Sequence, residues 1–311
     1  MKEKPEILLI GTGAIGSFYC GKLHQAGARI SAVCRSDYDI VKSRGIHVKS
    51  IIGDFNYMPE QVVKKASDYS GRPDYIVVAT KVLPEINVPD MIHERVYPGT
   101  AIVMLQNGIN IEEPVAAAFP DNELISGLAF ICVSRTEPGQ INHQDYGRLV
   151  IGRYPSGISD SVSLFADMLN RSGVTCIIEE DIIAARWKKL IWNAPFNPIS
   201  VLGGGANTIE MMKSEPTLHL ARKVMEEVVL LAERTGHPIP EDVIQKNLDD
   251  TAVMTPYKTS MLLDYEGKRS MEVEAILGNT VRLAEKHNVP IPHIQSLYGL
   301  LSLLNKKNLG T

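Results

Sequence analysis

Residues 7–16 read Ile7-Leu8-Leu9-Ile10-Gly11-Thr12-Gly13-Ala14-Ile15-Gly16, and this decapeptide decides the fold. The first four residues form a continuous apolar run, as expected of a strand covered on both faces. The next six have the pattern G-x-G-x-x-G. Residues 14–26 then carry a helical pattern with Ala26-Gly27 as its stop. In a strand–turn–helix each glycine has a task. Gly11 permits the tight turn, Gly13 lets the backbone approach a pyrophosphate, and Gly16 lets the helix pack close to the strand. The backbone N–H groups across Gly11, Thr12, Gly13, Ala14, Ile15 and Gly16 then face an anion. A second strand at the right distance makes this a dinucleotide site rather than a chance glycine turn. Lys2 and Lys4 ahead of the apolar run imitate a secretory leader. Glu3 and Glu6 interrupt the basic stretch and the glycines break the apolar region, so the strand–turn–helix is the better reading.

Outward from the turn, short apolar runs alternate with helical patterns. Ile30–Cys34, Tyr75–Ala79 and Ala101–Leu105 read as further buried strands. Residues 124–133, 148–153 and 174–178 are shorter strand candidates, some of them suited to antiparallel edge additions. This rhythm predicts an α/β domain with a mostly parallel sheet and helices on its faces. After residue 179 the strands stop. Residues 181–194, 217–235, 241–248 and 271–287 read as helices, interrupted at 236–238 and 289–292. The expected division is an α/β domain over 1–178 and an all-helical domain over 179–311, with a frayed tail from Asn305 to Thr311.

The chain has 311 residues, of which 44% are apolar and 22% charged, and a formal net charge of −4. That balance gives no electrostatic footprint for nucleic acid and no polybasic segment for an anionic membrane. No apolar run reaches the ~18 residues of a membrane span. The four cysteines, Cys20, Cys34, Cys132 and Cys176, are scattered and form no C-x-x-C pair. They read as reduced thiols of a cytoplasmic protein. The eight histidines show no metal-ligand spacing, so no metal is expected.

The end of the second strand bears on cofactor choice. An NAD site usually places Asp or Glu there, whereas this chain has Cys34-Arg35-Ser36. A guanidinium suits a 2′-phosphate, which favours NADP, with Ser36 as a further donor; a solvated arginine is the alternative. Lys81 follows the strand at 75–79 and is either a cofactor contact or a surface lysine. Asn107-Gly108 follows the strand at 101–105, at the carboxyl edge where open α/β sheets bind ligands, and is otherwise a simple turn.

The segment Trp187-Lys188-Lys189-Leu190-Ile191-Trp192-Asn193-Ala194-Pro195-Phe196-Asn197-Pro198 is the second informative stretch. Lys189, Asn193 and Asn197 recur every fourth residue and form one stripe on a helix. The rest of the wheel is almost entirely apolar. Buried polar groups need partners, and a polar ligand in a cleft between the domains would supply them. Solvation of Lys189 and capping by the asparagines is the alternative. Pro195 removes a backbone donor and is expected to kink or end the helix near Asn197.

These segments resemble the ketopantoate reductases. The resemblance rests on IGTGAIG at 10–16, QNG at 106–108, KLIWNAPFNPIS at 189–200 and SMLLDYEGKRSMEVEAILG at 260–278, in order across nearly the whole chain. It implies a Rossmann-like first domain and a helical second domain like the C-terminal domain of 6-phosphogluconate dehydrogenase. It also implies NADPH-dependent reduction of 2-dehydropantoate to pantoate, in pantothenate and coenzyme A biosynthesis. By the match, Lys189 resembles the general acid, and Asn193 and Asn197 the amides that hold substrate and lysine. Asn207 resembles a further substrate-binding amide, and Ser260 the hydroxyl that takes the substrate carboxylate. Glu272 resembles the acid that holds the substrate hydroxyl and contacts the cofactor. A homodimer is compatible with the family. Tyr257 stands where some members have asparagine, and Gly203-Gly204-Gly205 is a flexible run; both bear on substrate preference.

On the residues alone, Glu272 also suits a helix N-terminus and Ser260 an N-cap. Two other functions use the same framework: a related 2-keto or 3-hydroxy acid oxidoreductase, and a non-catalytic NADP sensor. The first lacks its Gly-rich substrate loop here, and the second has no need of a proton donor.

Overall fold

Ile7, Leu8, Leu9 and Ile10 have no exposed surface, because their strand lies inside the sheet and is covered on both faces. The computed structural model describes residues 4–240 and 242–310. Lys2 and Glu3 of the leader-like stretch, Glu241 at the start of the expected helix, and Thr311 at the tail lie outside the described residues.

In chain order the strands are β1 (Glu6–Ile10), β2 (Arg29–Val33), β3 (Ile46–Ser50), β4 (Phe55–Tyr57), β5 (Val62–Val63), β6 (Tyr75–Val78), β7 (Ala101–Met104), β8 (Leu124–Glu137), β9 (Gln140–Arg153) and β10 (Cys176–Ile178). They form one sheet ordered β4-β3-β9-β8-β7-β6-β1-β2-β5, with β10 also beside β9. The run from β5 to β8 is parallel throughout. The succession β5-β2-β1-β6-β7-β8 is the doubly wound dinucleotide-binding arrangement. Helices α1 (Ala14–Gln25), α2 (Tyr38–Arg44), α3 (Val88–Ile92), α4 (Glu113–Ala118) and α5 (Asp160–Arg171) belong to the same unit.

One sequence expectation fails here. The runs at 124–133 and 148–153 are parts of β8 and β9, each 14 residues long, which form an antiparallel hairpin inside the sheet and not at its edge. Gly139, at φ 71°, makes the turn between them. Register shifts at Phe130/Ile131, Cys132/Val133 and Arg135/Glu137 break the two-residue alternation, so their full length leaves no clean pattern in the sequence.

By contacts the chain divides into two units. The first is 1–81, 86–106 and 112–182; the second is 183–311 together with the loops 82–85 and 107–111. The second contains α6 (Ile182–Leu202), α7 (Thr208–Lys213), α8 (Glu215–Arg234), α9 (Val243–Val253), α10 (Ser260–Glu266), α11 (Asn279–His287) and α12 (Pro292–Leu309). A π-helical turn, Glu274–Gly278, leads into α11. The tail is ordered to Leu309, contrary to the expected fraying from Asn305. The Asn305 amide oxygen accepts from the Met271 N–H at 3.1 Å.

The expected break near Asn197 is also absent, since α6 runs through Pro195 and Pro198 to Leu202. Each interior proline costs roughly 3 kcal/mol. Leu190, Ile191 and Phe196 are at most 2% exposed. Burial of such side chains returns roughly 1.5–3 kcal/mol each, and Trp187 and Ala194 add to it, so packing holds the helix through both prolines.

Candidate active site

Gly13 caps α1 with no side-chain hydrogen bond, so amides of the first helical turn stay available to an anion. The three glycines are distinguished by what a Cβ would meet. At Gly11, with φ 100°, it would lie 2.9 Å from the Thr80 nitrogen. At Gly16 it would lie 2.7 Å from Leu9 Cδ1. At Gly13 it would meet nothing within 4 Å. Gly11 and Gly16 are therefore required by the protein's own packing. Gly13 leaves space above the turn, and the turn fits a pyrophosphate.

Beside this turn, at the carboxyl ends of the parallel strands, is a cavity of about 430 Å³. Arg35, exposed just beyond β2, lines it together with Lys64, Lys65, Asp90 and Glu94. Lys64 follows β5, the neighbour of β2 in the sheet, and its amine lies 4.8 Å from the Tyr38 ring centroid. The sequence reading missed Lys64 because the two-residue β5 is too short to carry a period. Ser36, expected to donate to a phosphate, donates instead to Asp37 at 2.7 Å. Asp37 is 1% exposed and also accepts from Arg135 at 2.6 Å. The carboxylate nearest the end of β2 is thus already engaged, and Arg35 is the charged side chain at the end of β2 that lines the cavity. Cys34 is buried and bonded to Thr12, and burial pushes its thiol up to about 11. Lys81 is half-buried in the loop after β6.

In the second unit, α6 presents the expected stripe. Lys188 is exposed, Lys189 half-buried, and Asn193 and Asn197 buried. The Lys189 ammonium donates to the Asn107 amide oxygen at 2.9 Å. Burial, reinforced by the Arg186 guanidinium, lowers the amine to about 7, against the opposing pull of Glu272. Desolvation prevails over the pull of Glu272. Glu272 is half-buried, precedes the helical turn that begins at Val273, and accepts the Val82 N–H at 2.9 Å. Its carboxylate therefore ties the loop at 82–85 to this unit.

The remaining residues occupy more local positions. Asn197 donates to the Asn193 carbonyl at 3.2 Å and accepts from the Met261 N–H at 3.4 Å, so its amide joins α6 to the start of α10. Ser200 and Thr259, 2.6 Å apart, extend this buried polar link. The N-cap of α10 is Thr259, which accepts from the Leu262 N–H at 3.2 Å. Ser260, read as a possible cap, is the first helical residue and is exposed. Asn207 caps α7, accepting from the Glu210 N–H at 3.0 Å while Glu210 accepts from the Asn207 N–H at 2.8 Å. Tyr257 and Thr208 hold their segments together, the Thr208 N–H bonding to the Tyr257 carbonyl at 3.1 Å.

The ketopantoate reductase PanE/ApbA family model matches residues 7–156, and the ketopantoate reductase PanE/ApbA C-terminal model matches residues 181–305. A 2-dehydropantoate 2-reductase of Nostoc is 36% identical over 307 residues, spanning 96% of this chain and 95% of that protein. The chain belongs to the ketopantoate reductase family. A crystal structure of 2-dehydropantoate 2-reductase from Methylococcus capsulatus is 46% identical with a TM-score of 0.92, covering 97% of both chains. That from Geobacter metallireducens is 30% identical with a TM-score of 0.90, covering 96% of this chain and 99% of the other. The Rossmann-like sheet and the following helical unit are the architecture of this family. Among the described residues no helix is long and apolar enough to cross a membrane. Arg186, Ser200 and Thr259 carry no signal in the sequence, because nothing local sets them apart from ordinary helix and cap residues.

Proposed function

We propose that this member of the family converts 2-dehydropantoate to pantoate with NADPH, in pantothenate and coenzyme A biosynthesis. The observation that carries the reading is the Lys189 ammonium, held by Asn107 and lowered to about 7. An acid near neutrality can release its proton at working pH while a substantial share of the molecules still carries it beforehand.

When bound, NADPH supplies a hydride to the keto carbon. Lys189 stabilises the negative charge that grows on the substrate oxygen and then gives that oxygen its proton. Asn107 fixes the direction of the amine. The turn at Gly11–Gly16 holds the pyrophosphate through backbone N–H groups. Arg35 and Lys64 supply positive charge for a 2′-phosphate, and Lys81 is a further cofactor contact. Asn193, Asn197, Asn207, Ser260 and Glu272 hold the substrate. In this reading Asn197 and Thr259 also fix the segment that carries Ser260.

The test is NADPH oxidation over a panel of 2-keto acids. The expected result is the highest kcat/KM with 2-dehydropantoate and a marked preference for NADPH over NADH. A higher kcat/KM with another keto acid would replace the substrate, and no oxidation with any member would remove the enzymatic reading.

A further inference from the structure

Arg186 stands three residues before Lys189 on α6, so the two side chains are neighbours on the helix surface. It is 2% exposed, and arginine is rarely buried so fully unless its charge is used. Its guanidinium donates to the Gly108 carbonyl at 3.0 Å. The preceding residue, Asn107, accepts from Lys189. Two successive loop residues are therefore gripped by two cationic side chains of one helix.

The far side of the loop is held as tightly. The Ile109 N–H donates to the Ala275 carbonyl at 3.1 Å, and the Ile109 carbonyl accepts from the Asn279 amide at 2.7 Å. Gly108 has φ 112°, and a Cβ there would lie 2.6 Å from the Ala275 oxygen. The loop is thus pressed against the π-helical turn, an irregularity common at functional sites. With residues 108 and 109 fixed, the Asn107 amide has little freedom in where it points.

We propose that Arg186 is a positioning residue for Lys189: it clamps the Asn107-Gly108 loop to α6 and keeps a second positive charge beside the amine that donates the proton. The proposal rests on the reading of Lys189 as proton donor. Charged groups that act on the amine include Arg186 from its own helix and Glu272 from the segment before the π-helical turn. Arg186 repels the ammonium and so favours the neutral amine left after the proton moves to the substrate oxygen. Glu272 acts in the opposite sense. Loss of the arginine charge therefore makes the lysine a weaker acid.

The test compares Arg186→Gln, which loses the charge but keeps an N–H donor, with Arg186→Lys, which keeps the charge but loses the planar fork. Two readouts are taken. One is the pH profile of kcat/KM for the keto acid. The other needs no turnover: the pH dependence of Lys189 acylation by an amine-reactive reagent, read by peptide mass spectrometry. In Arg186→Gln both profiles are expected to move to higher pH by roughly one unit. In Arg186→Lys both profiles are expected to stay in place while kcat falls about tenfold through the loosened loop.

Unchanged profiles in Arg186→Gln would overturn the proposal while leaving the donor reading of Lys189 standing. Wild-type turnover in Lys189→Ala would instead remove the donor reading, whatever the acylation profile does. If Arg186→Gln does not fold, as judged by thermal melts, Arg186→Lys decides: wild-type kcat there would overturn the clamp.

Discussion

The dinucleotide turn and the lysine site are built in opposite ways. The turn is one contiguous segment, and Gly11 and Gly16 are confined by Leu9 of β1, by the turn's own backbone and by Ala79 and Thr80 just after β6. The lysine site draws on α6, the loops at 82–85 and 107–111, and the segment around Glu272, separated by up to 190 residues in sequence. The first is written in one six-residue pattern, whose tight glycines also pack against the chain after β6. The second is specified by packing, and its chemistry depends on side chains that no local pattern connects. Substitutions in the turn should therefore act on cofactor binding or folding, and substitutions in the lysine site on turnover and pH dependence.

The strongest break in that comparison is Lys189→Ala, expected to lower turnover by roughly 10²–10⁴-fold. NADPH affinity should hardly change, because the phosphates are assigned to the turn and Arg35. Lys188→Ala, on the exposed face, is the control. Steady-state and single-turnover kinetics measure both, and near wild-type turnover in Lys189→Ala would sink the mechanism.

The pH profile comes next. If Lys189 is the donor, an amine lowered to about 7 supplies the acid below that pH and loses it above. The kcat/KM for keto-acid reduction should therefore fall about tenfold per pH unit on the alkaline side. Oxidation of the hydroxy acid needs the neutral amine and should rise through the same region. A reduction profile flat to pH 9 would contradict the assignment.

Arg35→Ala should raise the KM for NADPH about tenfold, the scale of one charge-assisted hydrogen bond, and leave NADH nearly unchanged. Lys64→Ala should move in the same direction by less, because its exposed amine is more strongly screened. Equal losses with NADPH and NADH would reject a role for either residue at the 2′-phosphate.

The smallest catalytic effects sharpen the reading of the turn. Gly16→Ala forces a methyl against Leu9 and should destabilise the protein by roughly 1–3 kcal/mol. Gly13→Ala should leave the melting temperature nearly unchanged while weakening NADPH binding, since its methyl enters open space. Calorimetry without and with NADPH separates the two. Equal destabilisation of the free protein by both would remove the distinction.

The sequence by itself determined the parts whose physics is local. Four apolar residues, three glycines and a helical period specify a buried strand, a turn and a helix, because each pattern is written in adjacent residues. The four-residue spacing likewise puts Lys189, Asn193 and Asn197 on one helix stripe. Tertiary structure decided what depended on distant atoms. Pro195 carries a local stop signal, yet the buried side chains of α6 outweigh it. Serine at 260 looks like a cap, but the chain's course makes Thr259 the cap. Register shifts hid the length of the β8–β9 hairpin, since alternation survives only while the ladder stays in phase. The balance on Lys189 needed the fold most of all. Burial and charge act through space, and the neighbours that set its proton affinity include Glu272, far along the chain.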